Sequence, residues 1–458
     1  MSIPDWLAVL FAWGVLLSSG AALLRLILQE KISETPFLER LGLWWVLGAG
    51  YVSLVIFGVG WLIRGSALVA FVTAGTLAML IVGHARRIPN FRRRSFDFLD
   101  WLIFSVIIGQ FVFVCWLACD AALGWDGIVL WEAKARIAAE NGGTLPLRYF
   151  SDTPFPISQP RYPLFLPYVE TWLYLCLGEP DQAWVRSVGP FAYAAAVFII
   201  AGATERLGAS RKAGLVSAAI FFLIPYLWVG NWNALTGYAD FPLGVLYMAA
   251  VSRLTSVSGS ASTRELAFFG ILAGLTVWVK HEGLYLWLVL MIISAVFLRS
   301  PRSWRKAILV ASPGVFIAAS FYAYLTFAGA PKDPFYLAPT PANFLANAYR
   351  IGPVFGRLWS ELTNFNSWLY LWIGAAVAIV ALGMWRRIAL AFGFGVAIGL
   401  PMFIFVWPFV LSSFSSYLNH CDHALSRLMF QLAPTAMLAV AIANPEMVKR
   451  RDRTLVES

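Results

Sequence analysis

Runs of about twenty consecutive apolar residues recur along the whole chain, and no other feature restricts its fold as tightly. A hydrocarbon core about 30 Å thick takes roughly 20 helical residues to cross. Inside it every backbone N–H and C=O must be paired internally, so only helices and closed barrels can span. Barrel strands would alternate apolar and polar residues over about ten positions. The stretch 101–119, WLIFSVIIGQFVFVCWLAC, does not alternate. The expectation is an all-α polytopic membrane protein. Composition agrees, because with 60% hydrophobic and 13% charged residues the chain is too poor in charge for an ordinary water-facing surface.

Spans are expected at about 5–27, 41–63, 66–83, 101–123, 184–203, 213–229, 241–254, 266–279, 283–298, 308–328, 368–384, 388–410 and 427–444. The first run lacks a basic leader and a small-residue cleavage pattern, so it reads as a retained span rather than a signal peptide. The net charge of +10 points to membrane loops rather than nucleic acid, because the basic residues fall into short connections. These are Arg86, Arg87, Arg92, Arg93 and Arg94; Arg206, Arg211 and Lys212; Arg253 and Arg264; Arg299, Arg302, Arg305 and Lys306; Arg386 and Arg387; and Lys449, Arg450, Arg451 and Arg453. The excess of Lys and Arg in cytoplasmic loops puts all of them inside. Of the four cysteines, Cys115, Cys119 and Cys176 lie in or beside apolar runs, which favours packed thiols; Cys421 falls in a polar loop.

The segment 162–178, YPLFLPYVETWLYLCLG, decides the topology. If it crossed, 205–212 would lie outside and every later loop would invert. It is short and carries Pro163, Pro167 and Glu170, so it reads as a re-entrant or interfacial helix. Thirteen spans then put the C-terminus inside and the loops 124–161 and 329–367 outside. The expected organisation is a three-span scaffold module at 1–100 and a central module at 101–330 with the loop 124–161. Spans at 331–458 follow, with outer loops 329–367 and 411–426.

With that topology the outer face collects Asp126, Glu132, Lys134, Arg136, Asp240, Lys280, His281, Glu282, His420, Asp422, His423 and Arg427. Ionisable groups at span ends are costly, which makes them functional candidates. In GWDGIVLWEAKAR (124–136) Asp126 opens an expected amphipathic surface helix, with Trp131, Lys134 and Ala135 on one face; it is either a helix cap or a reactive carboxylate. In GYADFPL (237–243) Asp240 precedes Pro242 and has the same two readings. In WVKHEGLYLW (278–287) Lys280, His281 and Glu282 occupy a tight turn, where a Lys–Glu pair could simply seal the hairpin. Arg427 enters the last span and needs an anionic partner, for which a phosphate is suited. His420, Asp422 and His423, with Asp126 and Asp240, are weak candidates for a divalent cation, the one candidate cofactor, since their spacing matches no recognised ligand set. Together, carboxylates and cations on one face suit an anionic, membrane-tethered substrate.

These pieces resemble the GT-C superfamily of polyprenyl-phosphate-sugar glycosyltransferases, which includes protein O-mannosyltransferases and aminoarabinose transferases acting on lipid A. The residues carrying the resemblance are Asp126 at the head of the first large outer loop, the WEAKAR segment, PRYPLFLP (160–167) with Tyr162, and TGYADFP with Asp240. Bacterial membrane proteins of this kind show patterns such as WDA–W–KAK, DYPLLLP, YAD-P and K-N/H-EG. Here Arg161 stands where they often carry Asp, which removes any role for an acid there. The resemblance covers about 100–445. It implies a GT-C-like bundle, Asp126 as catalytic base, Asp240 positioning the acceptor or a cation, and a polyprenyl-phosphate sugar as donor. Lys134, Arg136, Lys280 and Arg427 are phosphate contacts by charge alone; Glu132, Glu282, His281 and Tyr162 are acceptor-side or structural. A transporter of lipid-linked intermediates and a non-catalytic scaffold are the competing expectations.

Overall fold

The computed structural model describes residues 4–85, 95–151, 158–258, 260–298, 304–331 and 335–443. The basic residues expected inside at 86–94, 299, 302 and 449–453 lie outside the described residues. All regular elements described are helical, apart from one isolated antiparallel bridge between Tyr336 and Ser412. The protein is a helical membrane protein in which, among the described residues, seven helices are long and apolar enough to cross a bilayer.

The principal helices are α1 (Asp5–Leu28), α2 (Phe37–Val59), α3 (Ser66–Ala85), α4 (Phe98–Asp120), α5 (Ala133–Glu140), α6 (Phe165–Leu177), α7 (Val188–Arg206), α8 (Arg211–Phe221) and α9 (Asp240–Ser252). They continue with α10 (Thr263–Val277), α11 (His281–Phe297), α12 (Trp304–Phe327), α13 (Ile351–Leu362), α14 (Leu371–Met384), α15 (Ile388–Ile404), α16 (Tyr417–Phe430) and α17 (Ala433–Ile442). Each of the thirteen expected spans coincides with a helix, but seven of those helices have 17 residues or fewer. For α9 the reason is its burial along its whole length. Surrounded by protein, its ends meet protein groups rather than lipid, so it has no need to match the hydrocarbon thickness.

Two expected spans end differently. The segment 213–229 stops being helical at Phe221, because Pro225 cannot donate to a continuing helix and holds Ile224 extended, at ψ 114°. The span expected at 427–444 is broken into α16 and α17, which meet at a bend of 41° just before Pro434. Arg427 therefore sits in the last turn of α16, just before the bend.

Contacts divide the helix ends into two sets. At one end, the buried Glu39 at the start of α2 pairs with Arg206 of α7 and with Arg253 just past α9, both at 2.8 Å. Arg211 at the start of α8 pairs with Asp100 of α4, and Arg387 before α15 donates to the Leu207 carbonyl. At the opposite end lie Asp126, Asp240 and Lys280. Helix α6 belongs to this second end on both sides. Its entrance is tied by the Phe165 N–H to the Trp278 carbonyl beyond α10, and the chain that follows it is tied just before α7, by Arg186 to the Cys119 carbonyl at the end of α4. The segment thus returns to the end it came from, and at about 1.5 Å per residue its 13 residues reach only about 20 Å.

The first three helices pack directly into the bundle. Gly202 of α7 lies so close to the backbone of Glu39 that no Cβ would fit, and the Trp172 indole of α6 donates to the Ala12 carbonyl of α1 at 3.0 Å.

Candidate active site

Asp126 and Asp240 come together because the chain between α4 and α5 folds onto the segment before α9. The Gly124 N–H donates to the Thr236 carbonyl, and a Cβ on Gly127 would collide with that same carbonyl. Past Asp126 the backbone makes a π-type turn, Gly127–Glu132, in which the Ala133 N–H reaches back five residues to Ile128. Such single wide turns are frequent at functional sites, since they re-aim side chains.

Neither carboxylate acts as a helix cap. Asp240 is 1% exposed and accepts from three side chains. Lys280 Nζ lies 2.8 Å and Gln431 Nε2 2.7 Å from Oδ1, while Arg427 reaches Oδ2 through Nη2 at 3.1 Å and Nε at 3.3 Å. The same guanidinium places Nη1 2.8 Å from Asp126 Oδ2 and lies over the Tyr238 ring at 4.6 Å. Tyr238 in turn accepts from the Asp126 N–H through its hydroxyl. Lys280 also pairs with Glu282 at 3.0 Å, so the hairpin seal and the link to Asp240 coexist. The result is an unbroken line, Asp126–Arg427–Asp240–Lys280–Glu282, of three carboxylates against two cations. Two buried acceptors along it, Glu282 Oε2 and Gln431 Oε1, have no hydrogen-bond partner among the described residues. Orphaned acceptors in a cluster otherwise fully bonded are places for an incoming hydroxyl or water.

Lys134 forms a second, adjoining group. It is fully buried, donates to the Gln159 carbonyl at 2.9 Å, and faces the rings of Trp131 and Tyr162 at 5.5 and 5.8 Å. Tyr162 meets the His281 ring at 4.6 Å in a tilted contact, which joins this group to Lys280. Among the described residues no carboxylate pairs with Lys134. Burial pushes its ammonium down to about 7. Arg161 is engaged with the Ala330 carbonyl at 3.0 Å.

Other expected residues are placed elsewhere. Trp131, Lys134 and Ala135 do share a face, but it is buried and α5 packs on α6, so this is not a helix lying on the membrane surface. Arg136 is turned to Glu132 at 2.9 Å, and Glu132 also accepts from the Tyr174 hydroxyl at 2.7 Å. This pair braces α5 on α6 and does not touch the acid pair. His420 bonds Ser412, Asp422 pairs with Arg357 at 3.2 Å, and His423 lies edge-on to Trp232. Among the described residues no three His, Cys, Asp or Glu side chains converge on a metal position. A divalent cation at Asp126 and Asp240 would have to displace Arg427. Gln431 and Tyr238 were not singled out from sequence. The only signal for Gln431 is an amide inside the apolar run LMFQLAP, and Tyr238 looks like one aromatic among many.

Comparison with protein-family models, with curated proteins and with solved structures finds no match to this chain.

Proposed function

We propose that the chain is a membrane glycosyltransferase of the GT-C type, moving a sugar from a polyprenyl phosphate to an acceptor hydroxyl on the non-cytoplasmic side. One observation carries the reading: Asp126 and Asp240, distant in sequence, are bridged by a single guanidinium at one end of the bundle. The two sets of helix ends favour thirteen crossings, with 205–212 and the C-terminus cytoplasmic and the acid pair outside. With a donor such as undecaprenyl phosphate the membrane would be a bacterial inner or plasma membrane.

The carboxylates divide the work by their surroundings. Asp240 is held by three donors and keeps its place, orienting Arg427 and Lys280. Asp126 is 23% exposed at its side chain and has one ionic partner among the described residues, so it is the group free to move. As general base it takes the proton of the acceptor hydroxyl while that oxygen bonds to the anomeric carbon. The bond from that carbon to the phosphate oxygen breaks, and its electron pair leaves with the phosphate. Arg427 and Lys280, with Lys134 behind Tyr162, meet the growing charge. A single displacement of this kind inverts the anomeric centre. The acceptor is a hydroxyl of a glycan, lipid or protein.

A transporter of lipid-linked intermediates would place its charges near the bilayer midplane on broken helices. Here Asp126, Asp240 and Lys280 gather at helix ends, which favours interfacial chemistry. The test is to reconstitute the protein with labelled polyprenyl-phosphate sugars and a membrane extract. Label transfer abolished in Asp126→Asn but retained in Arg136→Gln supports the assignment; no donor consumption by the wild type removes it.

A further inference from the structure

Between α12 and α14 the described residues are largely helical and carry large apolar side chains that stay exposed among the described residues. Helix α13 has three sides. Val354 and Leu358 are buried against the protein. Arg357, Ser360 and Gly356 lie on the opposite, polar side, where Arg357 pairs with Asp422 of α16 at 3.2 Å. Between them, one turn apart, lie Phe355, which meets the Phe403 ring of α15 and is 37% exposed, and Trp359, which is 69% exposed. Leu345, in the preceding helical turn Pro341–Ala346, is 79% exposed. A face this apolar on a helix that also has a polar side is unstable in water.

Two observations say what covers it. The face runs directly into a lipid-facing stripe. Past Trp368, whose indole donates to Glu361 at the end of α13, Phe365 packs on Tyr370, and exposed Ile373, Val377 and Val380 continue from there along one side of α14. The segment is also fastened at the level of the helix ends, because Arg350 donates to the Val410 and Ser412 carbonyls beyond α15. Aromatic side chains beside a helix end, with a cation on the neighbouring face, match the headgroup layer, where rings enter the acyl boundary and charges reach out to water.

We infer that α13 is an interfacial helix, lying in the headgroup layer of the outer leaflet with Phe355 and Trp359 inserted among the lipids and Ser360 facing water. The partner is the bilayer itself. The helix is coupled to the acid pair by covalent structure, because Asp422, which holds Arg357, and Arg427, which bridges Asp126 and Asp240, both belong to α16. This inference does not depend on the reaction proposed above.

The test uses the full chain in phospholipid vesicles, with cysteine placed by Phe355→Cys, Trp359→Cys, Leu345→Cys and Ser360→Cys. Labelling by a membrane-impermeant maleimide is measured, and the reaction of the four native cysteines is subtracted. A side chain of this size leaves an apolar layer rarely enough to slow an aqueous reagent about tenfold or more. The expected result is that positions 345, 355 and 359 react at least about tenfold more slowly than position 360, with all four alike once the protein is unfolded in SDS. Equal rates in the vesicles overturn the inference. Slow labelling accompanied by oxidative dimerisation of the Trp359→Cys protein also overturns it, because a second copy then covers the face.

Discussion

Replacing Arg427 by Met removes one guanidinium from two carboxylates whose surroundings differ, and a pair of double-mutant cycles separates the two losses. Asp240 is fully buried and loses two of its N–H donors from Arg427, keeping only Lys280 and Gln431. Removing one partner of a buried pair costs about 3–5 kcal/mol, because the charge left behind is uncompensated. Asp126 loses a single 2.8 Å contact, and its side chain is partly exposed. Charge-assisted hydrogen bonds contribute about 1.5–3 kcal/mol when buried, and partial exposure lowers this to about 1 kcal/mol. The cycle of Arg427→Met with Asp240→Asn is therefore expected to give a coupling of about 2–3 kcal/mol, and the cycle with Asp126→Asn about 1 kcal/mol. Unfolding is followed by helical circular dichroism in mixed micelles of increasing SDS fraction, with all variants at one protein-to-detergent ratio. Couplings that are equal, or both below about 0.5 kcal/mol, would refute the claim that Asp240 is the fixed member and Asp126 the releasable one.

Two further outcomes follow from the same geometry. Because burial holds Lys134 at about 7, it is largely neutral in the free protein at alkaline pH. A phosphate ligand must be met by the protonated form, so affinity for a short-chain isoprenyl phosphate falls as pH rises above about 7, by up to about tenfold per unit. Titration calorimetry should show this slope for wild type and lose it in Lys134→Arg. In stability the sign is opposite to that of a paired lysine. The folded pKa lies below the unfolded one, so protonation opposes folding fully below about 7, and the penalty fades as pH rises towards the ordinary lysine value. Separately, Gly20→Ala places a Cβ against the Trp44 carbonyl where α1 crosses α2. Forcing apart two packed backbones costs about 1–3 kcal/mol, read as a lower SDS midpoint with unchanged helical content before unfolding.

Much of the architecture was legible in the chain because the bilayer imposes a rule on composition. Long apolar runs such as 98–120 have one solution, a helix, wherever they sit. Pro225 and Pro434 were visible too, but where each helix stopped depended on its neighbours as well as on the missing N–H. The length and prolines of 162–178 marked it as too short for an ordinary crossing, and the structure gives it a helix of 13 residues. The site was less legible. Asp126, Asp240, Lys280 and Arg427 could be gathered on one face by topology, yet whether each was a cap, a hairpin seal or a member of one cluster depended on contacts between segments far apart in sequence. Lys134 and Arg136 are two residues apart and look equivalent as charges. The turn 127–132 sends one into the protein beside Tyr162 and leaves the other on Glu132.

The sequence by itself determined the solvent, the helical class and the set of ionisable residues gathered at one end, because transfer of charge and backbone into hydrocarbon is costly enough to write itself into composition and spacing. The tertiary structure alone decided the pairing. An Arg side chain has several carboxylates within its reach in sequence terms, and only the packing of α9, α16 and the 124–132 segment brings two of them to one guanidinium and adds Gln431, an amide inside an apolar run, as the third donor to Asp240.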